Sequence, residues 1–362
     1  MKKTIYLHVG HPKTGSSSLQ KFLAANQTAL KEQDFSYPIC LSGQTNHHFL
    51  FLEKVLATQL NSQIKWNYTQ INTQRLSIMN DFFYQSLKKV TTSNIILSHE
   101  SFIYGLDKLL PYFLKDFNVV VIAYFRRMDH FVESFYSELT VNGSQHLSID
   151  EHINKNFEKL YLNRYKIIHD AAEILGNKNI IIRPYEKGQL ENQNITDDFM
   201  ATLNIKYNAN FKNIEQNFNP SVPIKFIHFN RLLSQALCNR NYFIMPRKVN
   251  RQLKFLAQKN TDNKKEGSLL SYEQRMRLIN QTKALDEKIA QLYLKREHGL
   301  LFYEKLPNAD LQASQDVLSA KEIAELMADF LLAHPPILED VFSENYISHR
   351  YEFLLKKIEE NS

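Results

Sequence analysis

Apolar residues recur along the chain in short, unbroken runs that predict the strands of a parallel sheet. The runs cover residues 4–9, 94–98, 118–125 and 179–183. None of them alternates apolar with polar positions, which is the pattern of strands buried on both faces. Segments with helical spacing separate the runs, so we predict a three-layer α/β fold with a parallel central sheet.

Helical spacing of apolar residues fills most of the remaining chain. Asp129 is expected to cap a helix that ends near residue 141. A boundary near Pro307 is predicted to divide a domain at 1–307 from a helical C-terminal appendage at 308–362. Residues 240–265 hold eight Lys or Arg against one acidic residue, which predicts a mobile loop. The predicted helices cover residues 16–33, 47–60, 70–90, 161–175, 222–240, 271–296, 319–333 and 341–359.

The composition is ordinary for a globular protein. Of its 362 residues, 43% are hydrophobic and 23% charged, and no apolar run is long enough for a membrane span. The apolar run after Met1 stops at Val9, too soon for a signal peptide, so a cytoplasmic protein is expected. Two cysteines and scattered histidines give no metal-ligand spacing. The net charge of +6 fits anionic partners, while the lack of a recognised module argues against nucleic acid.

A glycine-containing loop joins the first predicted strand to the first predicted helix. Backbone N–H groups at a helix start form an anion site, glycine lets the backbone approach the anion, and hydroxyls add donors. The spacing is similar to that of a Walker A loop, except that the lysine precedes the second glycine. The alternative is a helix cap with a serine cluster. The loop reads Gly10-His-Pro-Lys13-Thr14-Gly15-Ser16-Ser17-Ser18.

A second group of polar residues follows the third predicted strand. Arg126 comes at the carboxyl end of that strand, where α/β proteins place ligands, and Ser134 follows eight residues later in a predicted helix. Guanidinium and hydroxyl could thus converge on one phosphate. Taken alone, the pair is better explained by a surface ion pair of Arg126 and a helix-surface position of Ser134.

In chain order, the two motifs resemble those of sulfotransferases that use 3′-phosphoadenosine-5′-phosphosulfate (PAPS). Residues 12–20 (PKTGSSSLQ) resemble the 5′-phosphosulfate loop of bacterial and carbohydrate-type members. Arg126 with Ser134 resembles the family's 3′-phosphate motif. Residues 180–186 (IIIRPYE) are similar to the segment whose tyrosine, here Tyr185, lies near the adenine. The resemblance covers about residues 1–305 and implies a P-loop-type fold.

The resemblance implies a role for each matching residue. Lys13 would contact the oxygen that bridges phosphate and sulfate, and stabilise charge on the leaving phosphate. Arg126 and Ser134 would hold the 3′-phosphate of PAPS and of the product, 3′-phosphoadenosine 5′-phosphate (PAP). No metal is expected, because sulfuryl carries less charge than phosphoryl. The 5′-phosphate would be held by the hydroxyls of Ser16 and Ser17 and by the backbone N–H groups of Thr14, Gly15, Ser16, Ser17 and Ser18.

A general base is also required, since the attacking hydroxyl must lose its proton. His99 and Glu100 follow the second predicted strand, and on an extended strand end only one would face the acceptor. Glu100 is the preferred candidate, with His99 the second, and His11 or His48 remaining open. Either residue at the strand end could instead be a capping group.

Several features depart from the family or leave its function open. Arg247-Lys248-Val249 stands where cytosolic members carry Arg-Lys-Gly, and Tyr185 could equally be a core residue. The loop and the aromatic content favour a glycan or glycolipid acceptor. A P-loop kinase and a non-catalytic nucleotide-binding protein are the competing functions. The C-terminal helices leave a homodimer open.

Overall fold

The central element of the fold is a five-stranded sheet in which every neighbouring pair is parallel. The computed structural model describes residues 2–11, 13–38, 83–213, 222–239, 253, 255, 267–314 and 318–333. The strand order is β2-β3-β1-β4-β5, which confirms the predicted parallel α/β sheet. The strands are β1 (Thr4–Gly10), β2 (Phe35–Ser36), β3 (Asn94–Ser98), β4 (Asn118–Phe125) and β5 (Ile180–Pro184).

The central strand β1 determines which side chains meet at the carboxyl edge of the sheet. It pairs with β3 on one side, where His8 faces Ser98, and with β4 on the other, where Gly10 faces Tyr124. The segments that leave β1, β3 and β4 therefore begin side by side. In such sheets this edge is where ligands bind.

Helices cover both faces of the sheet. Leu23 of α1 and Phe199 of α7 share a buried cluster with Ile122 of β4. Successive strand residues point to opposite faces, and Phe125 contacts Tyr165 of α6, 5.3 Å between ring centroids. The labelled helices are α1 (Ser16–Ala25), α2 (Gln27–Glu32), α3 (Leu106–Phe113), α4 (Met128–Val141), α5 (Ile149–Asn156), α6 (Asn163–Leu175), α7 (Ile195–Thr202), α8 (Ile224–Cys238), α9 (Tyr272–Leu294) and α10 (Ala320–Ala333).

The chain divides into two compact units that interleave in sequence. The first consists of residues 1–132, 156–218 and 273–307 and contains the sheet. The second consists of residues 133–155, 219–272 and 308–362. Within it, α8 packs Phe226 and Phe229 against Leu326 of α10. The proposed division into a 1–307 domain and a 308–362 appendage stays a prediction.

The structure departs from the predicted helices at several points. The first helix breaks at Asn26, whose side-chain amide donates to Phe22 O, 3.0 Å, and to Lys212 O, 3.1 Å. A π-helical turn, Phe157–Leu162, precedes α6 where a regular helix start was predicted. Leu253, inside the predicted mobile loop, is helical and buried. The segment 47–60, most of 70–90, the segment 341–359 and the basic loop other than Leu253 and Phe255 lie outside the described residues.

The predicted cap of α4 is wrong. The helix begins at Met128, so Asp129 lies within its first turn. Its buried carboxylate instead accepts hydrogen bonds from Arg127 Nε, 2.8 Å, and from Arg275 Nη1, 3.1 Å. A carboxylate bound by two guanidinium groups has no need of backbone donors.

No helix in the described part of the chain is both long and apolar enough to cross a membrane.

Candidate functional site

Two glycines shape the loop that follows β1. Gly10 has φ 155°, and a Cβ there would lie 3.1 Å from both the N and the O of Tyr124 in β4. Gly15 has φ 77° at the N-cap of α1, and its Cβ would lie 3.0 Å from Ile195 Cγ2. Both positions therefore combine a glycine-type backbone with a close neighbour. The sequence motif predicted a glycine loop here, and the structure accounts for each glycine.

Hydrogen bonds hold the loop in a tight turn between the glycines. His11 N–H donates to Tyr124 O, 3.2 Å, and Thr14 Oγ1 donates to His11 O, 2.7 Å. Lys13 has φ 67°, a left-handed conformation that is uncommon for a residue with a side chain. Thr14 is buried while Lys13 is exposed. The turn thus presents the lysine side chain to solvent at the sheet edge.

The start of α1 has the features of an anion site. Its first-turn N–H groups have no acceptors within the helix, and no acidic residue lies in that turn. Ser16 Oγ is buried and has no hydrogen-bond partner among the described residues. Ser17 is exposed and Ser18 half-buried. A phosphate at this helix start would supply the acceptor that Ser16 lacks, so the loop fits the group that the sequence predicted.

Arg126 binds the same loop. Its Nη1 donates to Lys13 O, 3.1 Å, and its backbone N–H donates to His11 Nδ1, 3.3 Å. Its Cζ lies 5.9 Å from the centre of the Tyr185 ring. The structure therefore brings three predicted site residues together: Lys13, Arg126 and Tyr185.

The neighbouring arginine has a different environment. Arg127 is buried, pairs with Asp129, and donates from Nη1 to Glu304 O, 3.2 Å, and Lys305 O, 3.0 Å. Glu186, next to Tyr185, accepts from Tyr303 N, 2.9 Å. Of the two adjacent arginines, Arg126 belongs to the loop and Arg127 anchors the segment at 303–305.

Tyr185 follows β5 and closes the other side of the loop. Its N–H donates to Phe125 O, 2.6 Å, and its hydroxyl would lie 3.4 Å from a Cβ on Gly15. Burial raises the pKa of its hydroxyl, and the charge of Arg126 acts in the opposite direction. Tyr185 is half-buried. This position is compatible with both sequence interpretations, a core residue and a residue that contacts a ligand.

His99 and Glu100 do not lie on an extended strand end. The strand β3 stops at Ser98, and Glu100 begins a 3₁₀ turn, Glu100–Gly105. Burial raises the pKa of the Glu100 carboxyl, while hydrogen bonding from Gln20 and the charge of Lys13 lower it. Burial lowers the pKa of His99 to about 4. The Glu100 carboxyl thus interacts with Gln20 of α1 and with the charge of Lys13, whereas the His99 ring contacts Phe102, with centroids 5.9 Å apart.

Two buried polar residues near Glu100 were missed by the sequence reasoning. Gln20 Nε2 donates to Ser98 O, 3.3 Å, and His8 Nδ1 lies 2.7 Å from Ser98 Oγ. Burial lowers the pKa of His8 to about 3, with a further contribution from His99. The signal for Gln20 was present, because it stands four residues after Ser16 and so shares its helix face. The signal for His8 was absent, since a lone histidine in an apolar strand resembles a core residue.

Other predicted residues are not placed at this loop. Ser134 is half-buried in α4 and falls in the second unit, whereas Arg126 falls in the first. Its contribution to a 3′-phosphate site stays a prediction. His48 lies outside the described residues. Within the described ranges, no group of three or more His, Cys, Asp or Glu could hold a metal ion.

Comparisons with known proteins give similarity at the level of structure alone. No protein-family model matches the chain, and no curated protein sequence matches it. A sulfotransferase from Alicyclobacillus acidocaldarius is similar over 69% of this chain and 99% of its own, with TM-score 0.37 and 12% identity. The sulfotransferase domain from the curacin biosynthetic pathway is similar over 58% of this chain and 77% of its own, with TM-score 0.36 and 16% identity.

Both neighbours are named as sulfotransferases, the class that the two sequence motifs resemble.

Proposed function

We propose that the chain is a sulfotransferase that moves a sulfuryl group from PAPS to a hydroxyl of an acceptor. The observation that carries the proposal is the position of Lys13. It stands at the mouth of the anion loop, its carbonyl oxygen binds Arg126, and its charge acts on the Glu100 carboxyl. Three groups thus act around one loop: the Lys13 ammonium for the leaving group, the Arg126 guanidinium for a phosphate, and the Glu100 carboxyl as the candidate base.

Each group has a separate task in this proposal. The first-turn N–H groups of α1 and the hydroxyls of Ser16 and Ser17 would hold the 5′-phosphate. Arg126, helped by Ser134, would hold the 3′-phosphate, and Tyr185 would lie against the adenine. PAPS supplies an activated sulfuryl group whose leaving group is a phosphate. Lys13 would stabilise the charge that develops on this phosphate as the bond to sulfur lengthens.

Glu100 is the proposed general base. Burial raises its pKa, which brings the basicity of the carboxylate closer to that of a working base near neutral pH. His99 is the weaker candidate, because burial makes its ring a poor proton acceptor. In the transfer, Glu100 would take the hydroxyl proton while Lys13 faces the departing phosphate.

The acceptor is proposed to be a glycan or a glycolipid. Support comes from the carbohydrate-type sequence of the loop and from a chain that is 12% aromatic, since aromatic rings stack on sugar faces. Mass spectrometry of glycans incubated with the protein and PAPS tests this. A product heavier by one sulfate group is expected, and sulfation confined to other hydroxyl compounds would contradict the glycan assignment. A cytoplasmic location stays a prediction.

The donor is tested by thermal shift with PAP, 5′-AMP and ATP, each with magnesium and with EDTA. We expect PAP to raise the unfolding midpoint equally in both conditions, because the loop and Arg126 supply the anion contacts without a metal. A ligand at 100 times its Kd stabilises by about 2.7 kcal/mol. Because 5′-AMP lacks the 3′-phosphate, it should shift the midpoint less.

The competing functions give different results in these assays. A P-loop kinase would respond to ATP with magnesium rather than to PAP. A non-catalytic nucleotide-binding protein would respond to a nucleotide but would form no sulfated product from PAPS in the mass-spectrometric test. Loss of the PAP response in EDTA would mean that the anion site depends on a metal.

A further inference from the structure

His11 forms hydrogen bonds with three residues around the loop. Its backbone N–H donates to Tyr124 O, and its carbonyl accepts from Thr14 Oγ1. Its ring Nδ1 accepts the backbone N–H of Arg126, 3.3 Å. One residue thus binds the end of β4, the turn of the loop and the residue that begins the segment after β4.

The ring of His11 is held between aromatic side chains. It stacks on Phe131 with centroids 4.3 Å apart and rings 24° from parallel, and it lies 4.6 Å from Phe125. The residue is completely buried. Such packing prevents the ring from turning, so the direction of Nδ1 is fixed relative to the Arg126 backbone.

The hydrogen bond also determines the protonation state of the ring. Because the Arg126 N–H is the donor, Nδ1 must be unprotonated, and the neutral ring carries its proton on Nε2. Nε2 is buried and has no partner among the described residues. Burial first, and then the charges of Arg164 and Arg126, lower the pKa of His11 well below its ordinary value. The ring therefore keeps the state that the hydrogen bond needs.

We propose that His11 is a positioning residue that fixes the backbone of Arg126 and thereby aims its guanidinium at the loop. The guanidinium contact, Arg126 Nη1 to Lys13 O at 3.1 Å, lies two residues along the chain from this anchor. The identity of the bound anion rests on the proposed function, whereas the hydrogen bond between His11 and Arg126 does not. This role is incompatible with His11 as general base, because Nδ1 is occupied and Nε2 already carries a proton.

Three variants separate the hydrogen bond from the packing. His11→Asn keeps an acceptor at the position of Nδ1, His11→Gln moves it by one bond, and His11→Leu removes it. We expect His11→Leu and His11→Gln to raise the Kd for PAP about tenfold, which corresponds to the loss of one buried hydrogen bond. His11→Asn should raise this Kd less than about threefold, because it keeps the acceptor. The KM for PAPS should rise in parallel, with kcat at saturating PAPS nearly unchanged.

Two further measurements complete the test. In a double-mutant cycle, His11→Leu should add little to Arg126→Ala, because both act on the same contact. Ring ¹⁵N NMR of the ligand-free wild type should show His11 protonated at Nε2 alone. Thermal unfolding of each variant serves as the folding control, and if His11→Leu fails to fold, His11→Gln replaces it in the cycle.

The outcomes distinguish this inference from the proposed function. If the wild type fails to bind PAP, the proposed function is contradicted. The NMR measurement of the His11 tautomer still tests the hydrogen bond between His11 and Arg126. PAP binding by folded His11→Leu equal to wild type, or His11→Asn as weak as His11→Leu, overturns the positioning role. A proton on Nδ1 overturns it too.

Discussion

At the scale of single residues, the candidate site separates two kinds of positive charge. Lys13 is exposed on a strained turn, whereas Arg126 is half-buried between the loop and the Tyr185 ring. A flexible ammonium suits a charge that develops during reaction, and a rigid guanidinium fork suits a phosphate that is bound throughout. The two residues should therefore fail in different ways when they are replaced.

Lys13→Ala is expected to lower kcat by about 10²–10³ and to change PAPS affinity little, because its charge matters most in the transition state. Arg126→Ala should do the reverse, weakening PAP binding by about 2–4 kcal/mol for a charge-assisted contact. Steady-state kinetics with PAPS and calorimetry with PAP measure both. Lys21→Ala, an exposed lysine on α1, is the control. Equal effects of the two substitutions on kcat and on affinity would contradict this division of roles.

The assignment of the base makes a second residue-scale prediction. Glu100→Gln keeps the shape but removes the basicity, so kcat should fall by about 10²–10⁴ while PAP affinity stays near wild type. His99→Ala should have a small effect, because its half-buried ring packs on Phe102. In wild type, activity should fall with decreasing pH through the raised pKa of Glu100, above the range of an ordinary glutamate.

Mass-spectrometric assays of sulfated product over a pH series check this, with PAP affinity reporting on folding. Full activity in Glu100→Gln together with loss in His99→Ala would move the base to the histidine.

The identity of the candidate site residues was easier to predict from the sequence than the orientation of their side chains. The types and order of Lys13, Arg126 and Tyr185 matched a known pattern, and the structure brings them to one loop. The orientation of His99 and Glu100 could not be predicted, because it depends on a 3₁₀ turn that replaces the extended strand end. The role of His11 depends on a contact with Arg126, 115 residues away in the chain.

At the scale of elements, four of the five strands were predictable because each is a buried apolar run with no competing pattern. The two-residue strand β2 was not predicted. Predicted and observed limits of β3 and β4 coincide, β1 is longer by one residue, and β5 is shifted by one residue at each end. Helix ends were less predictable, since tertiary contacts decide them. Asn26 breaks the first helix by bonding to Lys212, and Asp129 is drawn away from a capping role by Arg275.

The loop between β1 and α1 makes a prediction at this scale. Gly15→Ala should destabilise the protein by about 2 kcal/mol, since a left-handed alanine is strained and its Cβ would meet Ile195. It should also weaken PAP binding, because α1 would begin in a different place. Urea unfolding and calorimetry with PAP measure the two effects.

Two other glycines provide matched controls for Gly15→Ala. Gly176 also has φ 77° but has no atom within 4 Å of its Cβ position, so Gly176→Ala should cost about 1 kcal/mol from strain alone. Gly188 has neither feature, and Gly188→Ala should stay within about 0.5 kcal/mol of wild type. PAP affinity should be unchanged in both. If all three variants behaved alike, the fit of Gly15 against Ile195 would have no role.

At the scale of the whole molecule, the chain does not divide in sequence order. The second unit collects residues 133–155 and 219–272 together with the C-terminal 308–362. Local patterns cannot reveal such grouping, because it depends on contacts between segments far apart in the chain. The boundary near Pro307 stays a prediction, whereas the interleaving of the two units had no signal in the sequence.

A half-buried carboxyl in the first unit affects the stability of the whole fold. Asp286 of α9 accepts a hydrogen bond from the Tyr165 hydroxyl of α6, 2.8 Å, and from Thr282 Oγ1, 3.2 Å. Both partners are neutral hydroxyls. Burial, with a smaller effect of Glu287, raises the pKa of Asp286 to about 7, although the two hydrogen bonds act in the opposite direction.

This raised pKa predicts how stability depends on pH. Between the unfolded value of 3.8 and the folded value of about 7, the folded state binds more protons, so stability falls as pH rises through this window. Asp286→Asn keeps polar groups for the two hydroxyls but cannot ionise. It should stabilise the protein at pH 8 by about 1–2 kcal/mol, below the full shift because Asp286 is half-buried, and far less at pH 4. Thermal unfolding at both pH values, with the exposed Asp310→Asn as control, measures the difference. A gain that is equal at pH 4 and pH 8 would mean that Asp286 is not protonated preferentially in the folded state.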